Sequence, residues 1–546
     1  MEKVKMNPIQ RIERRINPIL TAHRISIILG IIFIVSLLPI LYVAPYVRAT
    51  GDDLGYSWTI HNAITGGSGL MGIISEVIEK VVSTWYSWQG TWSSVALFCL
   101  QPGIWGEEWY PITVLVALVC ILVGTWYFLT VMFQSFGLSS SFRWIAFFLT
   151  SLLLIQYLPS VRSGIFWWTS VAHYCIPYGI VLMCMGWSLR FLKTGKFRFF
   201  LGMILGMTYL GGAGYPEIVL GAVFFALVIL ASLLNLISYS EPVCEQRKRS
   251  CLLFIPLILE LIGFAISAAS PGNVNRGGED FGFSINKVVD TLISCVKQGL
   301  LGTVDYFVVV RPLFLILLVI AVFAWEMTGP AKKNPLPSRK SDEKGSIWQP
   351  FLFVVLSLAI LCLIRTPEIY AATEVSGGVP NSYWMITMTT MTLDVIYCAV
   401  WLKRRHLAHG KKEQPEPCDS SCSTNKINND NKKQEENTGK LQHGPFILIL
   451  VCVFCLVFSR HLIGNTADYT CITFASSGAL ADYHEQMEEW LTLLNDPDTT
   501  NVELPAMNDD QGPFMLMVPL SESGGFTNSV YENYYGKESV ICVPRE

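Results

Sequence analysis

Two adjacent aspartates, Asp52 and Asp53, stand a few residues beyond the first long apolar run, in the stretch R-A-T-G-D-D-L-G-Y-S. A carboxylate in such a loop can take a proton from an attacking hydroxyl, or hold a divalent metal that stabilises a leaving phosphate. If the pair lies just outside a membrane, group transfer from a lipid-borne substrate is the chemistry that fits. Alternatively, the two side chains cap the next short helix or belong to a solvated loop.

Arginines form the second set of candidates, because an enzyme that acts on a lipid phosphate must neutralise that phosphate. The planar guanidinium with its fork of donors suits this task. Arg276 ends the turn S-P-G-N-V-N-R, and Arg162 precedes the aromatic cluster F-W-W. We expect both to bind phosphate, with Asn273 of the same turn beside Arg276. Arginines at the ends of membrane helices also serve as interface anchors, so that alternative stays open for Arg162.

Glu217 and His173 complete the candidate site. Glu217 lies between two apolar runs, in G-G-A-G-Y-P-E. An acidic group at the edge of the hydrocarbon is costly and tends to face a cavity or a partner. We expect it to orient a substrate hydroxyl or a catalytic group, and we expect the glycines to permit a broken or re-entrant turn. His173 is a further substrate-binding candidate, although a lone histidine there also serves as a hydrogen-bonding interface residue.

The composition indicates which solvent surrounds most of the chain. Of its 546 residues, 52% are hydrophobic and only 15% are charged, and the mean hydropathy is +0.44. A soluble protein carries roughly 25% charged residues. Apolar runs of about 20 residues are long enough to cross a hydrocarbon core of about 30 Å. The sequence therefore predicts an all-α polytopic membrane protein.

We predict eleven membrane-spanning helices. No small-residue cleavage site follows the first apolar run, so it is not a cleavable signal. The fifth and sixth spans are separated only by G-G-A-G-Y-P-E. The predicted spans are residues 25–47, 109–135, 143–161, 170–190, 198–213, 217–238, 251–269, 307–327, 349–366, 378–402 and 444–463.

Lysine and arginine decide the orientation of the predicted spans. With the N-terminus inside, 28 of the 39 Lys and Arg residues fall in inner segments, as the positive-inside rule requires. The topology is then N-in and C-out, with residues 1–24 in the cytoplasm and residues 25–463 as the membrane domain. The catalytic loop 48–108 lies on the outer face, and the inner loop 403–443 has the composition of a disordered linker. For the outer C-terminal region, residues 464–546, we expect a small α/β fold.

Other classes of site find little support. Cys471 and Cys542 both fall in the outer C-terminal region, where a disulfide is permitted, and the sequence leaves open whether they pair. The inner motif C-D-S-S-C lacks a second ligand pair for a metal. No phosphate-cradling glycine motif, metal-spaced histidine pair or nucleotide-binding fingerprint is present, which argues against a soluble nucleotide-sugar donor. Basic clusters beside the spans indicate topology and contacts with anionic membrane lipid rather than nucleic acid.

Five short motifs follow one another along nearly the whole chain. They are Asp52-Asp53, W-Q-G at Trp88–Gly90, Pro216-Glu217, S-P-G-N-V-N-R at Ser270–Arg276, and F-T-N-S-V-Y-E-N-Y-Y-G near the C-terminus. In this order they resemble the GT-C class of membrane glycosyltransferases. More narrowly, they resemble a bacterial family of multi-span proteins close to the GtrII-type glucosyltransferases.

The resemblance implies a helical membrane domain with a cavity open to the outer face. It also implies a polyprenyl-phosphate-linked sugar as the donor, and an aspartate of the first outer loop as the catalytic residue. One departure concerns the W-x-G element, which in the family is commonly followed by arginine, whereas this chain has Thr91. We therefore expect either that another arginine serves the phosphate or that substrate or activity differs.

We expect an inverting glycosyltransferase in the cytoplasmic membrane of a bacterium, acting on a glycan or lipid-linked acceptor outside the cell. Asp52 or Asp53 would act as base or as ligand of Mg²⁺ or Mn²⁺, and no other cofactor is expected. One rival is a polymerase or ligase of lipid-linked glycans, which would rely on an arginine-rich outer loop. Another is a non-enzymatic protein of polysaccharide transport or assembly. Transporters usually bury polar residues near mid-span, whereas here such residues cluster at the outer ends.

Overall fold

The structure is a computed structural model. It describes residues 16–237, 242–277, 284–329, 347–371, 377–410, 441, 443–457, 464–508 and 510–545. Most of these residues lie in helices, and the described part contains one small sheet. The C-D-S-S-C motif and most of the predicted linker 403–443 lie outside the described residues, as do the first 15 residues of the predicted cytoplasmic N-terminus.

The described residues up to 277 form twelve α-helices, the 3-10 turns Ala44–Tyr46, Pro102–Trp105 and Glu107–Trp109, and three short helical turns between the sixth and the seventh helix. The helices are α1 (Ala22–Val43), α2 (Asp52–Thr65), α3 (Leu70–Ser87), α4 (Trp92–Phe98), α5 (Ile112–Ser135), α6 (Ser140–Gln156), α7 (Ile176–Thr194), α8 (Phe197–Leu210), α9 (Tyr215–Leu233), α10 (Val243–Leu252), α11 (Phe254–Ala268) and α12 (Pro271–Gly277). The three turns between α6 and α7 are Arg162–Phe166, Trp168–Ser170 and Val171–Cys175.

The described remainder of the chain adds further helices and two short strands. They are α13 (Ile285–Val309), α14 (Leu313–Met327), α15 (Trp348–Leu363), α16 (Thr366–Ala371), α17 (Val379–Gly410), α18 (Gly444–Val457), α19 (Ala467–Ser476), α20 (Ala479–Asn495), β1 (Asn501–Pro505), α21 (Phe526–Tyr535) and β2 (Ser539–Val543).

Eight helical stretches of the described chain are long and apolar enough to cross a membrane. They are Ala22–Tyr46, Glu107–Ser135, Trp168–Thr194, Tyr215–Leu233, Val243–Ala268, Ile285–Val309, Trp348–Ala371 and Val379–Ala408. Four shorter apolar helices accompany them, namely Ser140–Gln156, Phe197–Leu210, Leu313–Met327 and Gly444–Phe454. The predicted class, a multi-pass helical membrane protein, is confirmed at this level, whereas the number of crossings and their direction stay predictions.

Each of the eleven predicted spans overlaps one of these helices, and one long helix was not predicted as a span. Helix α13 lies mostly between the predicted spans 251–269 and 307–327, in a loop that the predicted N-in topology places on the outer face. Its charged residues, which include Lys287, Asp290 and Lys297, interrupt the apolar pattern. Apolar side chains nevertheless cover much of its surface and are exposed, for example Ile293 at 63%. By length and composition this helix could cross a membrane.

Close approach of backbones holds the centre of the membrane-type bundle together. A Cβ placed on Gly124 of α5 would lie 2.7 Å from the Cα of Gly179 on α7. Such contacts between small residues are a common means of packing membrane helices. Beside them the hydroxyl of Tyr178 contacts the hydroxyls of Thr125, at 2.9 Å, and Thr389, at 2.7 Å. These buried hydrogen bonds join α5, α7 and α17 to one another.

The turn between α8 and α9 is buried. Helix α8 has 14 residues, which at 1.5 Å per residue gives about 21 Å, less than the hydrocarbon core of about 30 Å. The chain then turns through Gly211–Gly214 and begins α9 at Tyr215. The broken turn expected at G-G-A-G-Y-P-E is therefore present.

The C-terminal region combines helices with a small sheet. Strands β1 and β2 pair in parallel, with Asn501 opposite Ser539 and Pro505 opposite Val543. Cys471, in α19, and Cys542, in β2, are both free thiols in this structure, so no disulfide joins them. The region thus contains both α and β elements, and its position on the outer side of a membrane stays a prediction.

Helix α21, which carries the C-terminal motif, packs along α2. The hydroxyl of Tyr531 lies 3.1 Å from that of Thr50, and the ring of Tyr534 stacks on His61 with centroids 4.3 Å apart. A Cβ added at Gly55 would lie 3.0 Å from a methyl carbon of Val530. The last of the five motifs therefore supports the helix that carries the first.

Candidate active site around Asp52 and Arg276

Asp53 is fully buried, and protein donors engage both of its oxygens. Its Oδ1 accepts from the backbone N–H of Thr169, at 2.9 Å, and from the Thr169 hydroxyl, at 2.5 Å. Its Oδ2 accepts from the hydroxyl of Tyr110, which in turn accepts from the backbone N–H of Trp168 at 3.1 Å. Burial raises the pKa of Asp53 to about 7, although these hydrogen bonds oppose the shift. Asp53 thereby ties α2 to the turn Trp168–Ser170.

Asp52 has a different environment. It is half-buried at the start of α2, and it accepts no hydrogen bond from any described residue. Burial raises the pKa of Asp52, and the Arg276 guanidinium opposes that shift. Tyr56, one turn further along α2, interacts electrostatically with both charges. Asp52 and Arg276 therefore lie within electrostatic reach of each other without forming an ion pair, and the Asp52 carboxylate is free for another group.

Arg276 is exposed and held from one side. Its Nη1 donates to the side-chain oxygen of Gln89 at 2.8 Å, and its guanidinium lies 5.5 Å from the ring centroid of Trp88. Gln89 and Trp88 belong to the W-Q-G motif, and Arg276 ends the S-P-G-N-V-N-R motif. The structure thus brings these two motifs together, next to the helix that carries Asp52.

Two glycines permit this contact. A Cβ at Gly90 would lie 1.8 Å from the carbonyl oxygen of Ser267, and a Cβ at Gly272 would lie 2.4 Å from the backbone nitrogen of Trp88. Asn273 locks the same contact, since its Oδ1 accepts from the Gly90 N–H at 3.1 Å and its Nδ2 donates to the Ser267 carbonyl at 2.8 Å. The oxygen and the nitrogen of the Asn273 amide thus both form hydrogen bonds within the protein. These bonds explain the presence of an asparagine at this position without a bound phosphate.

His173 lies near the same cluster. Its ring packs against Phe98, with centroids 5.7 Å apart, and against Tyr174, at 4.6 Å. Its Nδ1 is buried and has no hydrogen-bond partner within the described ranges. His173 also interacts electrostatically with Arg276. The sequence candidates Asp52, Arg276 and His173 therefore belong to one neighbourhood.

Glu217 lies in the first turn of α9, just after the turn Gly211–Gly214, and is fully buried. Its Oε1 accepts from the Ser382 hydroxyl at 2.5 Å, and its Oε2 has no partner among the residues that the structure describes. Glu217 interacts electrostatically with Glu368 of α16. Tyr215, two residues before it, interacts with both Arg276 and Glu368. Glu217 therefore belongs to a second polar cluster, which adjoins the Asp52–Arg276 pair.

Arg162 is placed elsewhere. Its side chain is exposed and donates to the carbonyl oxygen of Gly512 at 3.1 Å. That contact joins the turn Arg162–Phe166 to the C-terminal region. The expected phosphate-binding role of Arg162 stays a prediction.

Several residues at the site were not identified from the sequence. They are Tyr56, Gln89, Tyr110, Thr169, Glu368 and Tyr383. Gln89 lies within a motif, so its position there was a usable signal. Tyr110 carried no such signal, because tyrosine is common near membrane interfaces. Thr169 lies in no motif and carried no signal either.

The two aspartates do not fit a shared metal site. Both oxygens of Asp53 already accept hydrogen bonds from Tyr110 and Thr169. Asp52 interacts electrostatically with the Arg276 guanidinium. Within the described ranges, no group of three or more His, Cys, Asp and Glu side chains is arranged to hold a metal ion. The expected role of Asp52 and Asp53 as ligands of Mg²⁺ or Mn²⁺ therefore has no support in this geometry.

What the site can do follows from its charges. The Asp52 carboxylate, which accepts no hydrogen bond from the described residues, interacts electrostatically with the exposed Arg276 guanidinium, and Tyr56 and Trp88 lie near this pair. No protein-family model, no curated protein and no solved structure matches this chain. The resemblance to GT-C glycosyltransferases accordingly stays a prediction from the motifs.

Proposed function

We propose that this protein is a membrane glycosyltransferase that moves a sugar from a polyprenyl-phosphate donor to a glycan or lipid-linked acceptor. The reaction would take place on the outer face of a bacterial cytoplasmic membrane. The observation that carries the proposal is the environment of Asp52, a half-buried carboxylate that accepts no hydrogen bond from the described residues and lies within electrostatic range of the Arg276 guanidinium. A base beside a phosphate-binding cation is what inverting glycosyl transfer from a phosphate requires.

Asp52 acts as the base. Its carboxylate takes the proton of an acceptor hydroxyl while the hydroxyl oxygen attacks the anomeric carbon of the donor sugar. The bond between that carbon and the phosphate oxygen breaks, and its electron pair leaves with the polyprenyl phosphate. The proton stays on Asp52, and the configuration at the anomeric carbon is inverted. Because burial raises the pKa of Asp52, the group is a stronger base than an ordinary aspartate.

Arg276 neutralises the phosphate. Its guanidinium is exposed while Gln89 and Trp88 hold it from one side, so its remaining donors can reach an anionic group. The family resemblance places an arginine directly after the W-x-G element, where this chain has Thr91. Arg276 reaches the same element from α12 and would take over that role.

Asp53 is a positioning residue in this proposal. With both oxygens bound by Tyr110 and Thr169, it has little capacity left for a substrate. Its hydrogen bonds fix the first turn of α2 and therefore the direction of the Asp52 side chain. The catalytic roles that the sequence left open between the two aspartates are thus divided.

The cell-based test uses a strain whose surface glycan requires this protein. Asp52→Asn should abolish the glycan modification at unchanged abundance in the membrane. Asp53→Asn should lower both abundance and modification, because it removes an anchor. Asp498→Asn is the matched control, since Asp498 is exposed in the C-terminal region. Normal glycan in the Asp52→Asn strain would contradict the proposal.

A further inference from the structure

A second polar cluster lies next to the proposed catalytic pair. The hydroxyl of Tyr383, near the start of α17, donates to Glu368 of α16 at 2.8 Å. The guanidinium of Arg365 lies 4.2 Å from the ring centroid of Tyr383, and its Nε is buried without a hydrogen-bond partner in the described chain. None of these three residues has a part in the reaction as described above.

Two residues connect this cluster with the catalytic pair. Glu217 interacts electrostatically with Glu368, and its buried Oε2 lacks a partner among the described residues. Ser382, which donates to the other oxygen of Glu217, precedes Tyr383 in the chain. The Tyr215 hydroxyl lies 3.2 Å from that of Ser267, which precedes the Arg276 turn, and Tyr215 interacts electrostatically with both Glu368 and Arg276. The cluster therefore adjoins the position proposed for the donor phosphate.

The geometry of the reaction determines which part of the substrate can bind at this second polar cluster. In an inverting transfer the acceptor oxygen, the anomeric carbon and the phosphate oxygen lie roughly in line. Asp52 marks the acceptor end of that line and Arg276 marks the phosphate end. The rest of the sugar ring must extend to one side of it, and its hydroxyls need hydrogen-bond partners there. Carboxylates supply strong acceptors for hydroxyls, and a guanidinium supplies donors.

We propose that Glu368, Tyr383 and Arg365, together with Glu217, form the subsite that binds the hydroxyls of the transferred sugar. This inference rests on the proposed glycosyltransferase function. Glu368 and the free oxygen of Glu217 accept from sugar hydroxyls, and Tyr383 holds Glu368 in place. Arg365 donates through its unpartnered Nε or through its terminal nitrogens. The subsite thereby selects which hexose is transferred, since a site built to bind a hydroxyl strongly rejects an analogue that lacks it.

The test measures sugar preference with the full-length protein in lipid nanodiscs. The donors are polyprenyl phosphates that carry glucose, galactose, mannose or a deoxy form of each, and the acceptor is an envelope glycan extract. Release of polyprenyl phosphate gives kcat/KM for each donor. The wild type should prefer one sugar, and Glu368→Gln and Tyr383→Phe should each reduce that preference at least tenfold. Glu503→Gln, an exposed position in β1, is the control and should keep the preference.

Each outcome bears on one of the two proposals. A wild type that transfers all sugars equally, or variants that keep the wild-type preference, would overturn the sugar subsite and leave the proposed function standing. A wild type that releases no polyprenyl phosphate from any donor would overturn the proposed function itself. Tyr383→Phe removes a single oxygen, so it decides the matter if Glu368→Gln does not fold. Thermal unfolding of each variant monitors folding separately.

Discussion

Asp52 and Asp53 are neighbours in the sequence and yet meet different surroundings. Successive residues of a helix point about 100° apart, so the first turn of α2 directs Asp53 into the protein and Asp52 toward Arg276. Asp53 is fully buried with donors on both oxygens, whereas Asp52 is half-buried with none from the described residues. A single dipeptide thus supplies an anchor and a reactive carboxylate.

The pH dependence of turnover should reflect Asp52. The base must be ionised to accept a proton, and burial raises its pKa above the ordinary 3.8. We expect kcat/KM to fall as the pH falls through this raised pKa, so the acid limb should lie above pH 4. A pH–rate profile in nanodiscs measures it. An acid limb at or below pH 4 would show that an ordinary carboxylate, or none, controls the reaction.

Asp53 should make stability depend on pH in the opposite direction to most carboxylates. Its pKa in the folded protein is about 7, above the ordinary 3.8, so the folded protein holds this proton more tightly than the unfolded chain. The stabilising contribution is complete below about pH 4 and is lost as the pH rises toward about 7. We expect the thermal midpoint of the wild type, relative to Asp53→Asn, to fall over this window. A constant difference between the two proteins would contradict the assignment.

The elements that position Arg276 depend on one tight contact. The W-Q-G segment after α3 lies against the end of α11 and the start of α12, and Gly90 and Gly272 let the backbones touch. Asn273 then hydrogen-bonds across the contact.

Gly90→Ala should break this contact. The added methyl carbon would lie 1.8 Å from the carbonyl oxygen of Ser267, and backbone atoms cannot move aside cheaply. We expect a loss of about 1–3 kcal/mol of stability or more, together with weaker binding of polyprenyl phosphate. Gly69→Ala is the control, because nothing lies within 4 Å of the added carbon. Thermal unfolding and a binding titration with polyprenyl phosphate measure the two effects, and equal behaviour of the variants would contradict this role.

At the scale of the whole molecule, hydropathy predicted the class of protein and the approximate positions of its helices. A chain segment inside a membrane must form its backbone hydrogen bonds within itself, so a long apolar run there becomes a helix. Helix α13, which by length and composition could cross a membrane, was not predicted as a span because its charges interrupt the apolar run. The contact of W-Q-G with S-P-G-N-V-N-R was not predicted, because 187 residues separate Gln89 from Arg276 in the chain. The partners of Asp53 were beyond prediction, since Tyr110 and Thr169 lie 57 and 116 residues away and no local pattern links them.

The predicted orientation of the chain can be tested by labelling. In a background in which the native cysteines are replaced by serine, Asp498→Cys should react with a membrane-impermeant maleimide on intact cells. Lys193→Cys, at the end of α7, should react only after lysis. Both positions are exposed, so accessibility differs only through the membrane. The reverse pattern would place the Asp52 site in the cytoplasm and contradict the outer-face reaction.

The most direct test of the central claim is single-turnover release of polyprenyl phosphate from a labelled polyprenyl-phosphate hexose, with purified protein in nanodiscs. We expect Asp52→Asn to reduce the rate about 100- to 10,000-fold, the range of a lost general base. Donor binding and thermal stability should stay close to those of Asp498→Asn. Release by Asp52→Asn at the rate of Asp498→Asn would contradict the assignment of Asp52 as the base, and with it the proposed mechanism.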